Sequence, residues 1–548
     1  MAKICLGRNR HIMRLVILTT LALTLGGCVT TLPKLADAFW QDQMRESPVW
    51  ATYLGDRRYD DNLPDLSFAA EQGRRQKLQE FLKSLEAIDQ KSLSFDDQVT
   101  YEVLEHELKS GLLSDICQTH LWSVDHLNGP QVWLLELPNH HTVRDANDLE
   151  TLKARYKKSR ELFEQHVQNL KLGMQKGLTP YRHNVELVIE QIRDMKDTPI
   201  SEGLNLYKDF LKDTLLAAAR TEPGINAACY KALISKYTGT TLAPEEIHRM
   251  GLAEVARIKS AKKKGSSARY AKSREALIQH NTDLVERATA ELSKVFSKIP
   301  KTPIYVKEME AFREKTSPAA YYYQAPQDGS RPAYYYLNTH DFQKRPLGNM
   351  AALAFHEAVP GHHLQVGLQN ENQHIPEFQR QMGQTAFVEG WALYAEKLAG
   401  ELDLYKTVDE KMGALDYELW RALRLVVDTG IHAMGWSREK AIVYLAGESS
   451  LPRHEVVNEI DRYITWPGQA LAYKIGEMTI SNLRAKAKEQ LKDHFDIKQF
   501  HDVVLSHGAV PLSTLTALVE RYIATSHESD PTVLGSNASR HTGNLKGL

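Results

Sequence analysis

The segment Ala354-Phe355-His356-Glu357-Ala358-Val359-Pro360-Gly361-His362-His363-Leu364-Gln365 constrains this chain more than any other. A helix that offers two imidazoles to one metal spaces them i and i+4, with a glutamate beside the first as general base. Here His356-Glu357 is present, but the next histidines stand at i+6 and i+7. On an unbroken helix i+6 points about 240° round from i, and i+7 lies about 10 Å further along the axis. Neither could share with His356 a metal held at about 2.1 Å. Pro360 interrupts the hydrogen-bond ladder and Gly361 tolerates the backbone that a loop requires. The segment therefore reads as a His-Glu pair, a looped-out insertion, and a returning Gly-His, with His362 or His363 as the second ligand.

A third ligand is available in Phe387-Val388-Glu389-Gly390-Trp391-Ala392-Leu393-Tyr394-Ala395-Glu396. This stretch reads as a helix with two acids seven residues apart, on similar faces but about 10 Å apart along the axis, so only one can be a direct ligand. Two histidines and one carboxylate with an open position make the donor set of a catalytic zinc. Glu357, beside a ligand without being one, is placed to take a proton from a metal-bound water. Neither half of the motif means much alone. His454-Glu455 is a second His-Glu pair and His140-His141 a second His-His pair, both without ligand spacing behind them. The combination carries the reading.

Length and composition bound the rest. The chain has 548 residues, 68 basic and 69 acidic, for a formal net charge of -1. That balance argues against a nucleic-acid partner, and a mean hydropathy of -0.42 argues against a polytopic membrane protein. Residues 1–27 read as a signal peptide. Lys3, Arg8, Arg10 and Arg14 precede an eleven-residue apolar run from Leu15 to Leu25, about half the length that spans a bilayer core. Leu25-Gly26-Gly27-Cys28 is similar to a bacterial lipobox, which makes Cys28 the expected site of lipidation and the chain an anchored envelope protein. Val29, not an acid, follows Cys28 and favours an outer membrane facing the periplasm. Cys117 and Cys229 are then the cysteines of the body. They are expected as buried small hydrophobes, although an oxidising compartment permits pairing.

Residues 28–235 form an expected helical region, with apolar spacing of three and four in stretches such as Ala70 to Ile88 and Thr142 to Lys176. Tyr207 to Thr221 and Pro244 to Lys264 continue the pattern, the latter ending in a basic run, Lys259 to Lys264, expected to be a solvated helix end. Residues 236–525 form the expected catalytic region. In it, Pro303 to Val306, Ala320 to Gln324 and Ala333 to Asn338 read as three strands just before the motif helix, with a turn at Gln327-Asp328-Gly329-Ser330. Residues 526–548 read as a disordered tail. The expected fold class is mainly α with a small sheet before the metal-binding helix.

His-Glu-Ala-Val-Pro-Gly-His-His with the downstream Glu-Gly-Trp-Ala-Leu-Tyr-Ala-Glu resembles the bacterial family known as domain of unknown function 885, regarded as zinc-peptidase-like. Asp428-Thr429-Gly430-Ile431-His432-Ala433-Met434-Gly435-Trp436-Ser437 and Pro467-Gly468-Gln469-Ala470-Leu471-Ala472-Tyr473-Lys474 extend that resemblance. It implies a gluzincin-like helical metallopeptidase binding one zinc ion and acting on peptides. Glu389-Gly390 resembles the third-ligand segment of zinc aminopeptidases, which favours Glu389 over Glu396. Gly361-His362 resembles the second half of the motif of helical carboxypeptidases and oligopeptidases, which favours His362 over His363. His432 and Tyr473 are the candidate oxyanion donors. Arg462 and Lys474 are candidates to grip a substrate carboxylate, and Tyr336 and Asn338 lie on a strand expected to offer its edge to an extended peptide. The rival expectations are a lipoprotein that binds peptides without cutting them and a hydrolase of another amide.

Overall fold

The computed structural model describes residues 31–528, apart from 194, 196, 263–267, 311–313, 315–317, 327–328 and 330. The expected signal peptide with Cys28, most of the turn at 327–330, and residues 529–548 lie outside the described residues. Ser526 to Glu528, expected to begin the tail, instead complete the helix Leu512–Glu528.

The described residues are mainly helical, 71 % of them, and among them lies one three-stranded sheet. The first long periodic stretch is the helix Phe68–Glu86, opened by the Ser67 side chain accepting the Ala70 N–H. The expected stretch 142–176 divides at Lys158 into Ala146–Lys157 and Ser159–Gln175. The stretch 207–221 is the end of Ser201–Phe210 followed by a π-helical turn. Buried apolar side chains from Leu32 and Phe39 to Val519 and Ile523 form one continuous cluster. The helix Ala227–Thr238 runs across the 235/236 position. No described helix is long and apolar enough to cross a membrane.

Cys117 and Cys229 are disulfide-bonded, which corrects the expectation of separate buried thiols. The bridge joins the turn after the helix Phe95–Ser114 to the helix Ala227–Thr238. The 112 residues between the two cysteines hide this proximity from the sequence, and the bond suits an oxidising compartment.

All three expected strands form: β1 (Ile304–Glu308), β2 (Ala320–Tyr323) and β3 (Ala333–Leu337). Their spatial order is β1-β3-β2, with β1 parallel and β2 antiparallel to β3. β3 is therefore the central strand and cannot accept a peptide along an edge, which corrects the role expected for Tyr336 and Asn338. Tyr336 stacks on Tyr321 across the β2–β3 pair, with centroids 5.1 Å apart. Asn338 is fully buried, its side-chain amide donating to the carbonyls of Glu314 at 2.7 Å and Pro318 at 3.1 Å. Strand order in space is not written in strand order along the chain, and the edge beside the motif helix belongs to β2.

Six helices build the surroundings of the motif: α1 (Leu347–Glu357), α2 (His362–Glu371), α3 (Thr385–Glu401), α4 (Val408–Ala433), α5 (Arg453–Thr465) and α6 (Ala472–Leu491). Every residue of α1 from Met350 to His356 is buried, as expected for a helix apolar on all sides and enclosed by the core. α3 and α6 cross with their backbones in contact. A Cβ on Gly390 would lie 2.4 Å from the Gly476 carbonyl carbon, and one on Gly476 would lie 1.8 Å from the Ala386 carbonyl oxygen. This contact sets Glu389 and Tyr473, three residues before Gly476, at one crossing.

Gly476→Ala is expected to force the two helices apart and to destabilise the protein by about 1–3 kcal/mol. Gly447, on an open helix face where a Cβ meets nothing within 4 Å, is the control, since Gly447→Ala is expected to be neutral or slightly stabilising. Thermal melts of both variants check this. Equal melting temperatures would contradict the close crossing.

Candidate metal centre

α1 ends at Glu357 and α2 begins at His362. Between them Ala358 and Gly361 leave the helical region, with ψ of -109° and -129°, and the Val359–Pro360 peptide is cis. Gly361 packs directly on the end of α1. A Cβ there would sit 1.9 Å from the His356 carbonyl oxygen and 2.5 Å from that of Phe355, so no other residue fits. The loop is held from two sides, by the His363 N–H donating to the Ala358 carbonyl at 3.0 Å and by the Trp391 indole N–H donating to the Pro360 carbonyl at 3.0 Å.

The result is the convergence that an unbroken helix forbids. His356 and His362 meet edge to face with ring centroids 4.8 Å apart. Glu389 Oε2 lies 3.5 Å from the Nε2 atom of each, and one donor atom from each of the three residues falls within 4.8 Å of the other two. The Glu389 oxygen is buried with no hydrogen-bond partner among the described residues. Three lone-pair donors facing one point, one of them an unpartnered buried carboxylate oxygen, fit a divalent cation. Burial alone would lower the His356 pKa, yet the carboxylates of Glu389 and Glu396 raise it to about 9. Burial likewise opposes the Glu389 carboxylate, and the two imidazoles hold its pKa well below the usual range. The electrostatics of the cluster call for positive charge at its centre.

The neighbouring residues divide into clear roles. Glu396 Oε1 accepts from the His356 Nδ1–H at 2.8 Å, leaving Nε2 to face Glu389. Arg421 lies 3.5 Å behind Glu396. His363 points the other way. Its Nδ1 and Nε2 lie 3.3 Å from the Tyr322 hydroxyl and 3.0 Å from the Thr302 carbonyl, and burial lowers its pKa to about 4. The structure thus brings His362, not His363, into the cluster. Glu357 accepts the Tyr322 backbone N–H from β2 at 2.9 Å. Burial raises its pKa, with His356 and His362 pulling it down and Glu389 pushing it up, so its carboxylate shares the electrostatic field of the triad.

Tyr473 stands near the same field. Burial and then the Glu389 charge raise its phenol pKa, and its ring lies 4.2 Å below the Arg424 guanidinium. His432 is engaged elsewhere. Its Nε2 lies 3.0 Å from the Tyr463 carbonyl, its ring packs 5.1 Å from that of Tyr230, and burial lowers its pKa to about 3. No contact among the described residues ties it to the triad. Arg462 is taken up by Glu459 at 2.8 Å and by Gln469 at 2.6 Å. Lys474 is fully buried among Glu254, Glu418 and Glu477, at 2.9, 3.0 and 2.7 Å. It binds helices together rather than a substrate. Arg424, absent from the sequence reading, keeps one buried terminal nitrogen, Nη1, without a hydrogen-bond partner among the described residues.

The sequence matches the model of bacterial proteins of unknown function DUF885 over residues 48–203 and 196–519. The chain belongs to the DUF885 family. No curated protein matches it. A solved structure described as "the putative lipoprotein from Colwellia psychrerythraea" superposes with a TM-score of 0.80 at 25 % identity, covering 90 % of this chain and all of that one. A second, described as "a putative lipoprotein of unknown function from Shewanella oneidensis", shares the fold with a TM-score of 0.70 at 20 % identity, covering 89 % of this chain and 99 % of that one. The lipobox-like segment of this DUF885 protein fits the company of lipoproteins.

Asp428 positions the loop that leads into α6. Its fully buried carboxylate accepts the Tyr230 hydroxyl at 2.6 Å and the Gly468 N–H at 3.1 Å. Burial pushes its pKa up to about 7 against these bonds and the Arg462 charge. The folded value exceeds the unfolded one, so its contribution to stability is full below about pH 4 and is lost as pH rises through about 7. Asp428→Asn keeps an acceptor oxygen and removes the titration. Urea melts from pH 4 to 7 are expected to show wild type losing stability relative to Asp428→Asn by up to about 1.4 kcal/mol per pH unit. Parallel curves would contradict the buried titration.

Proposed function

We propose that this DUF885 protein is a zinc-dependent peptidase of the bacterial cell envelope, anchored by lipid at Cys28. The observation that carries the reading is the meeting of His356, His362 and Glu389 donor atoms within 4.8 Å next to the carboxylate of Glu357. His356, His362 and Glu389 would hold the ion, with Glu396 fixing the tautomer of His356. Zinc bound there lowers the pKa of a coordinated water to about 7 and polarises the substrate carbonyl. Glu357, steadied by the Tyr322 N–H and raised in pKa by burial, takes the water proton and delivers it to the leaving amine nitrogen. Tyr473, the oxyanion candidate placed at the α3–α6 crossing, donates its hydroxyl to the developing negative charge. β2 is the sheet edge next to Glu357, and an extended peptide would run along it. The lipobox-like segment, the Cys117–Cys229 disulfide and the lipoprotein neighbours support an envelope location; Val29 favours the outer membrane.

Three variants test the assignment by metal analysis and peptide cleavage. Glu357→Gln is expected to keep one zinc per chain and to lose turnover by about 10²–10⁴-fold. His362→Ala is expected to lose the zinc. Glu396→Gln is expected to weaken zinc affinity by about 10–100-fold in chelator competition. Normal cleavage by Glu357→Gln would overturn the general-base role, and zinc without any cleavage by wild type would favour a binding lipoprotein.

A further inference from the structure

Arg424, on α4, is an incompletely satisfied cation near the triad. Its side chain is 4 % exposed. Nε donates to the Tyr463 hydroxyl at 3.1 Å, one terminal nitrogen reaches Glu459 at a long 3.3 Å, and the other, Nη1, is buried with no hydrogen-bond partner among the described residues. Glu459 does not neutralise it, because that carboxylate already accepts from the Arg462 Nε and Nη2 at 3.1 and 2.8 Å and from the Tyr463 hydroxyl at 2.7 Å. Two guanidiniums thus face one carboxylate, leaving one positive charge over. The planar Arg424 group is fixed between aromatic walls, 4.3 Å from the Trp420 ring centroid and 4.2 Å from that of Tyr473.

Its position ties it to the proposed metal centre. Tyr473 lies one helical turn before Gly476, and Gly476 is the residue on which Gly390, the neighbour of Glu389, rests its backbone. A buried guanidinium with an unpartnered terminal nitrogen is costly alone and binds carboxylates in preference to neutral groups. Arg421, three residues earlier, also keeps a buried nitrogen, Nε, without a hydrogen-bond partner among the described residues, but its charge faces a carboxylate of its own, Glu396 at 3.5 Å, behind His356.

We propose that Arg424, with Tyr473 beside it, forms a subsite for a substrate carboxylate next to the metal centre. This deepens the peptidase reading and rests on it. The substrates are peptides that present a carboxylate close to the scissile bond, either the free C-terminus or an acidic side chain. Both sources offer the same planar pair of oxygens, and Nη1 supplies a charged donor to it.

The test uses the zinc-loaded mature protein and two matched peptide pairs, one differing only in a free against an amidated C-terminus, the other in Glu against Gln beside the cleaved bond. Wild type is expected to favour the carboxylate member of one pair by about tenfold or more in kcat/KM, and the responding pair identifies the source. Arg424→Gln and the milder Arg424→Lys are expected to bring that ratio towards one, mainly through KM of the carboxylate peptide. A residue that serves only packing would lower both members alike and leave the ratio intact. Calorimetric binding of the same pairs to Glu357→Gln separates the two claims. Preferential binding of the carboxylate peptides without hydrolysis by wild type would sink the peptidase reading and leave the subsite standing. Hydrolysis with equal efficiency on both members of both pairs, or a preference untouched in both Arg424 variants, would overturn the subsite.

Discussion

The contact between Gly361 and the carbonyl end of α1 is the constraint on which the site depends. A helix that continued past Glu357 would send its next imidazole to the wrong side or a full two turns away. By resting its bare Cα against the His356 and Phe355 carbonyls, Gly361 closes the chain on itself in four residues and starts α2 with His362 beside His356. The Trp391 indole locks this turn from α3, so the same helix that supplies Glu389 also fixes the loop that brings the histidines together.

α3 serves the centre twice over. Glu389 and Glu396, two turns apart, address opposite nitrogens of one imidazole, at 3.5 Å from Nε2 and 2.8 Å from Nδ1. This orients His356 and sets its charge, as a supporting carboxylate does behind a metal-bound histidine. The glycine crossing of α3 with α6 carries the arrangement outward, since it sets Tyr473 and, through it, Arg424 at the margin of the cluster. The triad and the carboxylate of Glu357, steadied by an edge strand, thus have Tyr473 within reach of the Glu389 charge, with the Arg424 guanidinium against its ring.

Much of this was legible in the sequence because it was local. The break at Pro360-Gly361 follows from the chemistry of those two residues, the strands from their β-branched and tyrosine-rich runs, and the helix bearing Glu389 from its periodicity. What stayed hidden was long-range. The spatial order of three strands put β3 in the middle and turned Tyr336 and Asn338 into packing residues. Cys117 and Cys229 meet across 112 residues. Charge alone could not separate Lys474, sealed among three carboxylates, and Arg462, spent on Glu459 and Gln469, from Arg424, whose partners fall one short. The resemblance favoured His362 over His363, and the direction in which the second helix leaves the loop puts His362 in the cluster.

Anomalous diffraction at the zinc edge from crystals of the mature protein tests the central claim most directly. The account predicts a single strong peak enclosed by His356 Nε2, His362 Nε2 and a Glu389 carboxylate oxygen, at bonding distance from all three. A peak located elsewhere, or crystals grown with zinc that show none between these side chains, would contradict it.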